Sequence, residues 1–89
     1  MQRDIIAVCE AAGAIVIRMN AGKGRNNQRL APAGTPDLLV IGKHHTVWIE
    51  VKAEDGKLRQ VQSQMIEALR ERGHTVAVAR GVDDIPLPL

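Results

Sequence analysis

Eighty-nine residues, 45% of them hydrophobic, support one domain with a small core, residues 1–89 as a single unit, and exclude anything larger. The core must be aliphatic, because the chain has one Trp and neither Phe nor Tyr, and that shortage argues against a ring-stacking platform for single-stranded nucleic acid. A net charge of +2 and a pI of about 9.1 permit a polyanionic partner without demanding one.

In chain order, Ile5, Ile6, Val8, Cys9 and Ala12 form a short helical stripe ending near Gly13. Residues 14–19 (AIVIRM) are β-branched and strand-like. Residues 20–36 (NAGKGRNNQRLAPAGTP) read as a long polar loop, and loops of that length in small domains are usually functional or disordered. A second strand over 38–41 and a third over 46–53, joined by a turn at 42–45, make an antiparallel hairpin. Glu54, Asp55 and Gly56 break the third strand and place acids where they can cap the next helix. That helix, expected over 57–72, carries an apolar stripe of Leu58, Val61, Met65, Ala68 and Leu69 and closes at Gly73. Residues 74–79 (HTVAVA) form a fourth strand. The tail GVDDIPLPL can start a short helix that its prolines soon stop. A crossover helix between the third and fourth strands makes them parallel, so the expected fold is α/β, a mixed β-sheet of about four strands flanked by helices.

No stretch approaches the roughly 20 apolar residues of a membrane span. The start MQRDII carries an acid and no sustained apolar run, unlike a secretory signal. The lone Cys9 excludes an internal disulfide and a cysteine-based zinc site and fits a reducing cytoplasm.

The chemistry gathers in GTPDLLVIGKHHTVWIEVK, residues 34–52. Asp37 follows a proline-marked turn. Glu50 lies in a strand-like run with Lys52 two places on, so both side chains point to one face. Read alone, Glu50 and Lys52 can be an exposed ion pair on a half-solvated strand. Joined by Asp37 on a buried sheet, they are costly unless paired or put to chemical use. Hard cations such as Mg²⁺ take oxygen ligands, often one or two protein carboxylates plus water and phosphate oxygens. Asp37 and Glu50 match that requirement, and the Val51 carbonyl can add a ligand if the strand is locally irregular. Lys52 can then orient water or stabilise charge developing on a phosphate.

This pattern of PD followed by ExK resembles the PD-(D/E)XK nuclease superfamily, whose core is that of the restriction endonucleases. The details look most like its VRR-NUC branch: Gly34, Pro36 and Asp37, then Ile49-Glu50-Val51-Lys52, then Gly56-Lys57-Leu58 and Gln62, with a helix closing at Gly73. Gly13 to Arg18, Asn20 and Gly22 extend the likeness to the first strand and its loop. The resemblance implies a DNA endonuclease dependent on Mg²⁺ or Mn²⁺. Asp37 and Glu50 would bind the metal, Lys52 would be catalytic, and Gln62 would belong to the active site. Free-standing members in bacteria and phages tend to act as dimers on branched DNA, including four-way (Holliday) junctions, which places the protein in the cytoplasm of a bacterial or phage-infected cell.

Members often carry an additional acid early in the first helix. Here the local acids are Asp4 and Glu10, and Glu10 either completes the site or faces solvent. Gln62 borders the apolar stripe of its helix, where a polar group needs a partner. Arg18, Lys23, Arg25 and Arg29 can neutralise DNA phosphates, or sit on a solvated loop. The GKG at 22–24 lacks the spacing of a phosphate-binding loop. His44 and His45 read as turn residues, and Trp48 shares a face with Glu50. A dimer cutting two strands symmetrically needs a two-fold axis, and the apolar tail residues Ile85, Leu87 and Leu89 are candidates for its interface or for covering their own core. Two other readings stay open: a DNA-binding module that keeps the fold without catalysis, and a small oligomerisation domain.

Overall fold

A computed structural model describes residues 1–19 and 31–89. Among these the order is α1 (Gln2–Ala11), β1 (Ile15–Arg18), β2 (Leu38–Ile41), β3 (Thr46–Val51), α2 (Gln60–Glu71), β4 (Thr75–Ala79) and a 3₁₀ turn at Val82–Asp84. The strands form one sheet in the order β1-β2-β3-β4. β1 pairs antiparallel with β2 and β2 with β3, whereas β3 and β4 run parallel, because α2 carries the chain back across the sheet. The mixed four-stranded sheet and its crossover are thus as the sequence predicts.

Alternation along the strands divides the sheet into two faces. One presents Leu38, Val40, Val47, Ile49 and Ala79, all buried, and packs against Ile5 and Cys9 of α1 and against Ile85 and Leu89 of the tail. This is the aliphatic core that a chain without Phe or Tyr must build. The other face presents Leu39, Trp48, Glu50 and Val76, and α2 covers it on the β3–β4 side, where Ile66 and Val76 are buried. Its β1–β2 side has no helix upon it among the described residues.

Three expectations about local structure change. α2 begins at Gln60, with Arg59 as N-cap, instead of at 57. Glu54 and Asp55 lie in a tight turn closed by Gly56 N donating to Ala53 O at 3.0 Å, so they do not cap the helix. The buried face of α2 runs through Gln62 and Ile66, with Met65, Ala68 and Leu69 half-buried beside them, while Val61 stays 36% exposed. The apolar stripe read from the sequence had the right periodicity but omitted Ile66 and included Val61. Gly73 does close the helix, with φ of +87°, a conformation that costs a residue without Cβ little.

The tail is resolved in favour of its own core. Ile85 and Leu89 are buried, and the Leu89 carbonyl accepts from His44 N at 2.8 Å and His45 N at 3.3 Å in the hairpin turn. Of the candidates Ile85, Leu87 and Leu89, Leu87 alone points outward, so two of the three cover their own core. The two histidines are turn residues, as expected. No helix among the described residues is long and apolar enough to cross a membrane.

Candidate active site

Asp37 is the residue just before β2, and the turn that delivers it is built tightly. Thr35 donates to the Pro32 carbonyl from its backbone N at 3.2 Å and from Oγ1 at 2.7 Å. Gly34 has φ of +86° and lies against the first turn of α2, so that a Cβ there would collide with the Val61 carbonyl. Pro36 is fully buried. The Asp37 carbonyl then accepts from Met19 N at 2.9 Å, which anchors the turn to the end of β1.

The β2–β3 register pairs Leu38 with Ile49, and continued by one step it sets Asp37 opposite Glu50. Directly opposed residues of an antiparallel pair share a face, so the two carboxylates project from the same side of the sheet. Asp37 Oδ2 accepts from Val51 N at 2.8 Å, which fixes its side chain across the end of β3. Glu50 is 2% exposed. Its Oε2 accepts from Gln62 Nε2 at 3.1 Å and lies 3.8 Å from Lys52 Nζ. An exposed ion pair on a half-solvated strand is therefore not what Glu50 and Lys52 form. The Lys52 backbone N donates to the Ala79 carbonyl at 3.0 Å, so the β3–β4 pairing holds the lysine in place past the strand end.

The electrostatics of Glu50 follow from this crowding. Its carboxyl is pushed up from 4.5 to about 7, first by burial and then by the nearby negative charge of Asp37; a hydrogen bond with Asp37 favours the protonated form further. The Lys52 ammonium and the Arg59 guanidinium pull the other way and do not prevail. Two oxygen-donor groups that resist ionising together, in a nearly dry site, are what a small divalent cation relieves. The donor set fits Mg²⁺ or Mn²⁺, which take carboxylate and carbonyl oxygens, better than a soft metal. No third His, Cys, Asp or Glu joins the pair among the described residues. Val51, at the end of β3, has its backbone N–H bonded to Asp37, which sets this residue beside the carboxylate pair.

Gln62 is 7% exposed and its amide is used at both ends. Nε2 donates to Glu50, and Oε1 accepts from Arg59 N at 2.9 Å. The second bond is half of a capping box at the start of α2; arginine has no acceptor with which to return the other half. Its sequence signal, a polar residue at the edge of an apolar stripe, pointed to a partner, and the partner is Glu50. Arg59, which bears on Glu50 electrostatically, had no such signal.

The remaining candidates lie apart. Glu10 lines a cleft of about 540 Å³ between α1 and β1, with Gln2, Arg3, Ile6, Val16 and Arg18. Arg18 pairs with Leu38 across β1–β2, which puts it on the sheet face opposite to Asp37. Neither Glu10 nor Arg18 is brought to the carboxylate pair, and Arg3 is a basic neighbour that sequence reading did not single out. Lys23, Arg25 and Arg29 lie outside the described residues. Trp48 is half-buried, two residues before Glu50 on its face.

A mixed sheet that holds a PD carboxylate against an ExK strand defines a nuclease-type α/β domain. The family model of the VRR-NUC domain matches residues 1–83, and the chain belongs to that family. A solved structure described as a VRR_NUC domain is similar to this chain, with a TM-score of 0.71 and 27% identity, over 92% of this chain and 82% of the other. No curated protein matches the chain.

Proposed function

We propose that this chain is a Mg²⁺- or Mn²⁺-dependent DNA endonuclease that acts as a homodimer on branched DNA such as four-way junctions. The observation that supports it most is the placement of Glu50: buried, opposite Asp37, hydrogen-bonded to Gln62 and beside Lys52. Asp37 and Glu50 would hold the metal, with the Val51 carbonyl as a further ligand. When bound, the ion supplies Lewis acidity and charge neutralisation at the scissile phosphate.

The chain's own residues do the rest. Val51 N–H keeps the Asp37 carboxylate turned toward the site, and Gln62 does the same for Glu50. Lys52 carries its charge 3.8 Å from Glu50 Oε2, where it can orient the attacking water and stabilise the charge that builds on the phosphate oxygens. The backbone of the DNA would be held by Arg18, Lys23, Arg25 and Arg29 through salt-sensitive contacts that do not read sequence.

A second reading, a DNA-binding module without catalysis, draws on the position of Glu10. With that acid in another cleft, two carboxylates are left to hold an ion. Labelled duplex, flap, splayed and four-way DNA, incubated with Mg²⁺ or Mn²⁺, separates the readings. The wild type cuts, four-way DNA best, and Lys52→Ala lowers the rate by about 100-fold or more. Cutting that survives Lys52→Ala overturns the proposal. Salt-dependent binding with no cutting in either metal favours the second reading.

A further inference from the structure

We infer that Arg59 is a substrate-binding residue of the active site, a second cation beside Lys52 that takes a phosphate of the DNA strand being cut; this rests on the nuclease reading and adds a residue to it. Arg59 stands one side chain away from the carboxylate pair. Its backbone N donates to Gln62 Oε1 at 2.9 Å, and Gln62 Nε2 donates to Glu50 Oε2 at 3.1 Å. Among the described residues, Lys52 and Arg59 are the two cations whose charge favours the ionised form of Glu50. Lys52 is the one in ion-pair contact, at 3.8 Å. Arg59 is exposed, and among the described residues its guanidinium forms no hydrogen bond and no ion pair.

Helix chemistry makes arginine a poor choice for this position. Arg59 is the N-cap of α2, with φ of −73° and ψ of 158°. An N-cap side chain ordinarily accepts from a first-turn N–H, which is why Ser, Thr, Asp and Asn are preferred there. Arginine has donors only. Its charge also sits at the positive end of the helix, where a carboxylate would be favourable. Gln62, three positions on, is the partner that a capping box requires, and it already accepts from the N-cap backbone, so serine at this position would complete the box. A locally unfavourable residue beside a reactive site marks a functional demand that folding does not make. The demand here is for positive charge. A phosphodiester gains a second negative charge as deprotonated water adds to phosphorus, and Lys52 already faces Glu50. The guanidinium fork matches two phosphate oxygens at once. A phosphate held there also relieves the repulsion between Arg59 and the helix end.

Arg59→Ser tests this, because stability and function move in opposite directions. The variant melts about 4–8 °C above the wild type, since serine caps the helix and the repulsive charge is gone. DNA binding is read in the Lys52→Ala background with Mg²⁺, where cutting is suppressed, on splayed DNA across about 50–200 mM salt. Adding Arg59→Ser makes the slope of log affinity against log salt shallower by about 0.9, the loss of one phosphate contact. Arg59→Lys keeps the charge and restores the slope. Arg72→Ser removes the same charge at the far end of α2 and leaves the slope as it was. With Lys52 present, Arg59→Ser lowers single-turnover cleavage by about 10-fold or more. An unchanged slope, or one that Arg72→Ser alters equally, overturns the inference. So does a Tm that falls, which would make Arg59 a structural residue, and so does a wild type that binds no DNA. Absence of cutting alone removes the nuclease reading, and the binding slopes still decide whether Arg59 holds a phosphate.

Discussion

Gln62 donates to Glu50 across 3.1 Å of buried space, and the same amide accepts from the backbone of Arg59. One side chain thus ties the first turn of α2 to the acid at the end of β3. The helix start and the carboxylate geometry are consequently a single structural unit, and a change in one is felt in the other.

Replacing Gln62 exposes that coupling. Gln62→Leu leaves the Arg59 N–H and a Glu50 oxygen without their partners, at a cost of about 1–3 kcal/mol in unfolding free energy. Cleavage falls by about 10–100-fold, the range found when groups that orient metal ligands are removed. Gln62→Glu restores the acceptor for Arg59 but not the donor for Glu50. It should recover stability at acidic pH and lose it at alkaline pH, where two carboxylates face each other. Chemical denaturation of both variants at pH 5 and pH 8 checks this, and equal behaviour at the two pH values would refute the coupling.

Glu50 makes the metal-free protein sensitive to pH. Its carboxyl titrates near 7 in the folded chain against an ordinary 4.5. Between those values the native state holds more protons than the unfolded chain, so stability falls as pH rises through the window and levels off above it. Mg²⁺ or Mn²⁺ selects the ionised carboxylate and reverses the trend, so the rise in Tm on adding metal is largest above pH 7. Glu50→Gln removes both effects. Thermal melts from pH 4.5 to 8, with and without metal, supply the measurement; a metal-free Tm that climbs across this range would contradict the assignment.

Gly34 is the steric hinge on which Asp37 depends. Its φ of +86° disfavours any L side chain, and an added Cβ would strike the Val61 carbonyl. Gly34→Ala is expected to cost about 1–3 kcal/mol and to displace the turn that carries Asp37, reducing cleavage as well. Gly73→Ala is the control: its φ is also positive, but an added Cβ there meets nothing within 4 Å. It should lower stability modestly and leave the rate constant for cleavage unchanged. Urea melts and single-turnover rates on the two variants separate the effects.

Much of the architecture was legible because its signals are local. The β2–β3 hairpin, the crossover to a parallel β4 and the helix end at Gly73 follow from alternation, helical periodicity and turn chemistry within short windows. The start of α2 was less accessible. Glu54 and Asp55 look like caps, yet they occupy a turn, and the cap acceptor comes from Gln62 inside the helix. Glu10 illustrates a different limit. Helical spacing told which neighbours it has on α1, but the packing of α1 on the sheet decides that it lines a cleft with Arg3 and Arg18, away from Asp37.

By itself the sequence determined the residue types available for chemistry, the order of the strands along the chain, and that Glu50 and Lys52 share a face, since these depend on covalent order and backbone periodicity. Only the tertiary structure decided which residues meet: the register that sets Asp37 against Glu50, the burial that raises the Glu50 carboxyl, the amide that holds it, and the tail that turns inward. The reason is physical. Distances between residues far apart in the chain, and the water excluded between them, are properties of packed surfaces and are set only when the sheet and helices close on one another.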